Sequence, residues 1–152
     1  MTMKKPILYF AYGSNLDRTQ MRQRCRDAAP AGPATLKGYR IGFAGSSASW
    51  EGSAVATLLP ARGALVSGFL YEVSPESIEV LDRYEGHPRF YVRCRVSVSD
   101  ERGRRRVAQT YCLPLEHQEG MPASRYLQKI VRAYQRLGFG LDPLLAAVRR
   151  AA

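Results

Sequence analysis

Two short segments about seventy residues apart carry the residue types that anion binding and proton transfer require. The first is Tyr12-Gly13-Ser14-Asn15-Leu16, where an apolar strand runs into a small-residue turn. Glycine lets a ligand approach the backbone, and successive N–H groups near a helix start can hold a carboxylate or an oxyanion. The phosphate-loop spacing G-x-x-x-x-G-K-[ST] is absent. On spacing alone, a binding loop and a plain strand-ending turn are both open.

The second segment is Leu81-Asp82-Arg83-Tyr84-Glu85-Gly86. With Ser74 to Tyr84 helical, counting about 100° per residue puts Ile78, Leu81 and Glu85 on one face, with Tyr84 beside them. A carboxylate among apolar positions at a helix C-terminus is opposed by desolvation and by the negative end of the dipole. Its pKa should rise, as acid–base work near neutrality requires. The alternative is a helix that frays at Tyr84 and turns Glu85 outward.

Other candidates are weaker. Trp50, within Ser46 to Gly52, reads as a lid over a pocket or as a loop anchored to the core. Tyr126 opens a long helix and fits the core better than a cleft. His87 and His117, the only histidines, read as loop residues with no Ser-His-Asp or Cys-His spacing beside them. Cys25, Cys94 and Cys112 form no C-x-x-C pair, so a metal site or disulfide framework is not expected and each reads as a buried thiol.

The elements that must position these residues follow from periodicity. Ile7 to Tyr12 reads as a buried strand, and Asp17 as the N-cap of a short helix with Gln20 three residues on. Further strands are expected over Thr35–Ala44, Ala54–Leu59, Ala64–Val73, Tyr91–Ser99 and Val107–Leu113. The breaker-rich stretches Ala28–Pro33 and Gly42–Gly52 read as loops. Ser74-Pro75 starts a helix that Gly86 stops; Ser124 caps one to Leu137, and Asp142-Pro143 opens a last one ending near Arg150. Strands outnumber helices, which predicts an α+β domain over residues 1–152 whose sheet curls toward a small barrel with flanking helices.

The 152 residues are 45% hydrophobic, 24% charged and 10% aromatic, which excludes a disordered chain. No apolar run reaches the roughly 20 residues needed to cross a bilayer, and the N-terminal apolar stretch is too short for a signal peptide. A cytoplasmic protein without membrane partners is expected. The formal charge of +10 is spread, +4 through residue 76 (nine basic, five acidic) and +6 beyond it (fourteen and eight). Arg102-Gly103-Arg104-Arg105-Arg106 reads as the solvated tip of a hairpin, so nucleic acid is not an expected partner.

Leu8 to Leu16, Tyr84-Glu85-Gly86 with the strand of Tyr91, Trp50-Glu51-Gly52 with Ala54 to Leu58, and Pro122 to Tyr126 together resemble the γ-glutamylcyclotransferase family, in family order. The resemblance implies a small mixed β-barrel with flanking helices. It implies conversion of γ-glutamyl amino acids or peptides to 5-oxoproline and a free amine, without cofactor or metal. It assigns Tyr9, Phe10, Ala11, Tyr12, Gly13, Ser14 and Asn15 to a substrate-binding strand and loop. Trp50, Tyr91 and Tyr126 become further substrate contacts, and Glu85 the proton acceptor and donor. The implied partner is a small γ-glutamyl molecule, taken up by a monomer or homodimer. The wording Gly13-Ser14-Asn15-Leu16 favours a γ-glutamyl amino acid. A γ-glutamylamine, a protected biosynthetic intermediate and a non-catalytic binding module are the alternatives.

Overall fold

A computed structural model describes residues 5–152. Five strands close into a barrel in the order β1-β3-β2-β4-β5. They are β1 (Ile7–Ala11), β2 (Ala29–Ser47), β3 (Ser53–Val73), β4 (Val92–Asp100) and β5 (Arg105–Cys112). Strand β1 is antiparallel to β3, with Ile7 facing Val73 and Ala11 facing Phe69, and parallel to β5 through Tyr9 and Gln109. That parallel contact closes the ring. Four helices flank it: α1 (Arg18–Arg24), α2 (Pro75–Glu85), α3 (Ser124–Leu137) and α4 (Asp142–Ala151). Phe10, Phe43, Leu70, Leu81, Ile130, Tyr134 and Leu144 fill the interior with no appreciable exposure. Among the described residues, no helix is long and apolar enough to cross a membrane.

The long β2–β3 hairpin departs most from the sequence expectation. Ala29–Pro33 and Gly42–Ser47 are strand, not loop, and the segments 54–59 and 64–73 are one continuous strand. The register shifts at Pro30/Gly32, Lys37/Tyr39 and Ala44/Ser47 explain why. Gly32, Gly38 and Gly45 stand at or inside those shifts with positive φ, so residues that read as loop punctuation are absorbed as bulges. The bulges also bend the hairpin; Trp50 stands in the short turn that joins its limbs, and Ala56 on β3.

Helix α2 forms as its ends dictate. Ser74 Oγ accepts from Ser77 N–H at 3.1 Å, Pro75 occupies the first turn, and Gly86 leaves the helix with φ 69°. Ile78 and Leu81 are buried, but Tyr84 is 55% exposed and lies outside the apolar face expected to include it. The hydrophobic spacing also fixes α3, although Ala123 takes the cap position and Ser124 is its first residue, without a side-chain cap bond. Asp142 and Pro143 open α4 as expected, with Leu141 at the cap position before them. The arginine-rich tip between β4 and β5 is exposed. Asp100 Oδ1 organises it by accepting from the N–H groups of Arg102 and Arg104.

Candidate active site

Two residues beyond the end of β1 stands Gly13, where there is room for no side chain. A Cβ on Gly13 would stand 3.2 Å from Ala56 Cβ and 3.6 Å from the Tyr126 hydroxyl. The close approach of this turn to β3 and α3 forms the floor of a cleft. A 3₁₀ turn over Ser14–Leu16 follows, then Asp17 caps α1 by accepting from Gln20 N–H at 2.9 Å. This turn faces the C-terminal end of α2, so the two chemistry-bearing segments meet.

Glu85 is held, not frayed. Its side chain is 14% exposed, and Oε1 accepts from Asn15 Nδ2 at 3.2 Å and lies 3.4 Å from Arg24 NH1. Burial pushes its carboxyl up from 4.5 to about 7, against the Arg24 charge and the Asn15 hydrogen bond, both of which favour the ionised form.

Asn15 is itself oriented by a chain of donors. Lys129 Nζ donates to Gln20 Oε1 at 2.9 Å, which turns Gln20 Nε2 toward Ser14 Oγ at 2.8 Å and Asn15 Oδ1 at 2.9 Å. With its oxygen occupied, also by Arg24 at 3.1 Å, Asn15 directs Nδ2 to the Tyr9 hydroxyl at 2.9 Å and to Glu85.

Tyrosines make most of the remaining wall. The cleft of about 300 Å³ is lined by Tyr9, Tyr12, Gly13, Ser14, Asn15, Ala56, Glu85, Tyr91, Tyr111 and Tyr126. Tyr126 accepts from Ala56 N–H at 2.7 Å, while Tyr91 donates to Ala56 C=O. Tyr12 donates to the Tyr111 carbonyl, and Tyr111 to Asp82 Oδ1 at 2.6 Å. Burial raises all five phenols, so they remain protonated at neutral pH. An adjoining hollow of about 340 Å³ shares Ser14, Glu85, Tyr91 and Tyr126 and adds Arg24, Ser47, Trp50, Tyr84 and Phe90. Trp50 packs 4.8 Å from the Tyr126 ring and lies under Lys129 Nζ at 5.7 Å.

Tyr9, Tyr12, Gly13, Ser14, Asn15, Glu85, Tyr91 and Tyr126 are therefore brought to one place, with Trp50 at its outer rim. Phe10 and Ala11 are not: both are fully buried in the barrel and line neither hollow. Alternation along β1 turns Phe10 to the face opposite Tyr9, and the short Ala11 side chain is covered within the barrel. Tyr126 is at once core and cleft wall. His87 accepts from Arg93 N–H at 3.0 Å and His117 packs on the edge of Phe90, away from the cleft. Sequence reasoning missed Arg24, Lys129 and Tyr111 as site residues and read Gln20 only as part of a helix start. Gln20 and Arg24 stand four apart in the helix that leaves the Gly-Ser-Asn turn, and that spacing was the available signal. Among the described residues, no three His, Cys, Asp or Glu side chains are grouped to hold a metal.

The family model described as gamma-glutamyl cyclotransferase, AIG2-like, matches residues 9–128, which span this whole constellation. The chain belongs to that family. It is similar to gamma-glutamylcyclotransferase of Homo sapiens, 29% identical over 91% of this chain and 76% of the relative. The Bos taurus protein of the same name is 29% identical over 82% of this chain and 68% of its own length. A solved structure named gamma-glutamyl cyclotransferase superposes with a TM-score of 0.85 at 25% identity, over 97% of this chain and 89% of that one. The small mixed barrel with flanking helices agrees with the architecture expected from the sequence.

Proposed function

We propose that the cleft binds a γ-glutamyl compound and cyclises it to 5-oxoproline, with Glu85 moving the proton. The observation that carries this reading is a buried carboxyl whose pKa is pushed up to about 7 beside a glycine turn.

The reaction needs little machinery beyond placement. The substrate's α-amine attacks its own γ-carbonyl, the five-membered ring closes, and the γ-amide bond breaks. Holding the chain folded makes the attack intramolecular, and good geometry of this kind is worth ~7–11 kcal/mol. The α-amine arrives as an ammonium, so the Glu85 carboxylate takes one proton from it. The resulting acid passes that proton to the departing nitrogen, and the carboxylate so regenerated takes the second proton from the ring nitrogen, which leaves with the amine as its ammonium form. A pKa near neutrality serves both halves. The N–H groups of the Gly13-Ser14 turn are the donors for the substrate's α-carboxylate or for the tetrahedral oxyanion. The five protonated tyrosines supply a dry wall with fixed dipoles.

The outer hollow is where a leaving group would lie. Arg24 lines it and Lys129 sits over Trp50, so its rim is cationic. This favours leaving amines that carry a carboxylate, and hence γ-glutamyl amino acids over γ-glutamylamines.

The test is 5-oxoproline release from γ-glutamyl amino acids, glutathione and γ-glutamylamines, by the wild type and by Glu85→Gln. Release by the wild type, lost by at least ~10²-fold in the variant at unchanged KM, is the expected result. A variant within a few-fold of wild type removes Glu85 from the reaction. Silence of the wild type across all three substrate classes leaves a binding module.

A further inference from the structure

The two cysteines of the β4–β5 hairpin stand against each other. In that ladder Val92 faces Cys112 and Cys94 faces Thr110, so the two side chains project from the same face on diagonal rungs. Their sulfurs are 2.9 Å apart. This corrects the expectation of three unrelated buried thiols. Cys25 fits that expectation, buried and bonded to the Ser77 carbonyl, but Cys94 and Cys112 are each partly exposed.

The surrounding backbone is fixed. Arg93 N–H donates to His87 Nδ1 at 3.0 Å, and Leu113 N–H to Thr57 Oγ1 at 2.9 Å. The thiols thus meet on strands already tied to their neighbours. The hydrogen bond shared by the two thiols lowers the Cys112 thiol toward the reactive thiolate, whereas burial pushes Cys25 up to about 11.

We propose that Cys94 and Cys112 form a reversible thiol–disulfide site that reacts with a hydroperoxide. The Cys112 thiolate attacks one oxygen of the O–O bond, forming Cys112 S–OH. The hydroxide released takes up the thiol proton and becomes water. The Cys94 sulfur then gives up its proton and attacks the Cys112 sulfur, breaking the S–O bond, and a second water leaves. Each sulfur loses one electron and the peroxide bond gains two. The bond staples β4 to β5 immediately beside Tyr111, which lines the cleft. This site stands whatever substrate the cleft takes.

The experiment treats the full chain with hydrogen peroxide at about one equivalent, then unfolds it in N-ethylmaleimide and reads intact mass and a peptide map. The expected product has lost two hydrogens and takes up one label, at Cys25, where the reduced chain takes up three. The map joins Cys94 to Cys112, and dithiothreitol restores all three thiols. The oxidised form melts roughly 5–10 °C higher than the reduced one, since the bond closes a loop within one chain. Cys94→Ser loses that shift and instead traps Cys112 as a sulfenic acid that dimedone captures. Three labels after peroxide overturn the proposal. So does addition of two oxygens at either cysteine, or a bond that joins two molecules.

Discussion

The amide nitrogen of Asn15 lies 3.2 Å from Oε1 of Glu85, and its direction is set by donors that lead back through Gln20 to Lys129 and by Arg24. An ammonium can only donate, so Gln20 must present its oxygen to Lys129 and its nitrogen to Asn15. Asn15 then has no choice but to donate to Glu85. The carboxyl in the cleft is held by a donor whose orientation no single residue decides.

Asn15→Asp tests that donor. It removes the hydrogen bond that favours the Glu85 carboxylate and adds a like charge beside it, both of which raise the Glu85 pKa. The acid limb of kcat/KM against pH should move upward by about one unit, with a ~10-fold loss at neutrality that recovers in base. A lower plateau with an unmoved limb would indicate misfolding of the turn instead.

Arg24→Met removes the charge 3.4 Å from Glu85 and the largest influence holding its pKa down. The same limb should again move upward, while Arg24→Lys keeps most of the charge and shifts it less. The check is a pH–rate profile of both variants with a γ-glutamyl amino acid. Equal profiles would remove Arg24 as an electrostatic partner.

The raised carboxyl also leaves a mark on stability. A carboxyl that titrates at 4.5 unfolded and about 7 folded binds more protons in the native state between those values. Stability therefore falls as pH rises through that window, by up to about 3 kcal/mol. Glu85→Gln cannot ionise. Its stability relative to wild type should rise across the window and level off above pH ~8, read from urea midpoints at several pH values. A flat difference would mean that Glu85 is not buried in solution.

Gly13→Ala places a methyl 3.2 Å from Ala56 Cβ and into the cleft floor. We expect a fall of ~10–100-fold in kcat/KM with a stability loss of about 1–2 kcal/mol. Substitution of exposed Gly140, whose Cβ would meet nothing and whose φ is not positive, controls for glycine removal far from the cleft.

The sequence was most readable where one local rule decided the outcome. Ser74, Pro75 and Gly86 bound α2 on both sides, and counting along it put Glu85 with Ile78 and Leu81. The long hairpin was not readable, because Gly32 and Gly45 punctuate a loop and a bulge alike, and only the partner strand distinguishes them. Tyr111 entered the cleft through a pairing nearly a hundred residues long, from Tyr12 to its carbonyl. Cys94 and Cys112 met through hairpin register, which no spacing of cysteines alone announces. Arg24 was missed for a smaller reason. The cap at Asp17 announces where its helix starts, but not the face that it turns toward Glu85.

The ring closes where β1 meets β5, through Tyr9 and Gln109. On the ribosome these two strands emerge about a hundred residues apart, which at ~5–20 residues per second is roughly 5–20 s. For that interval β1 has an edge whose partner has not yet been made. The nascent chain thus carries the Gly13-Ser14 turn beside an exposed strand edge, a natural target for chaperones and a place where crowded synthesis mispairs two chains.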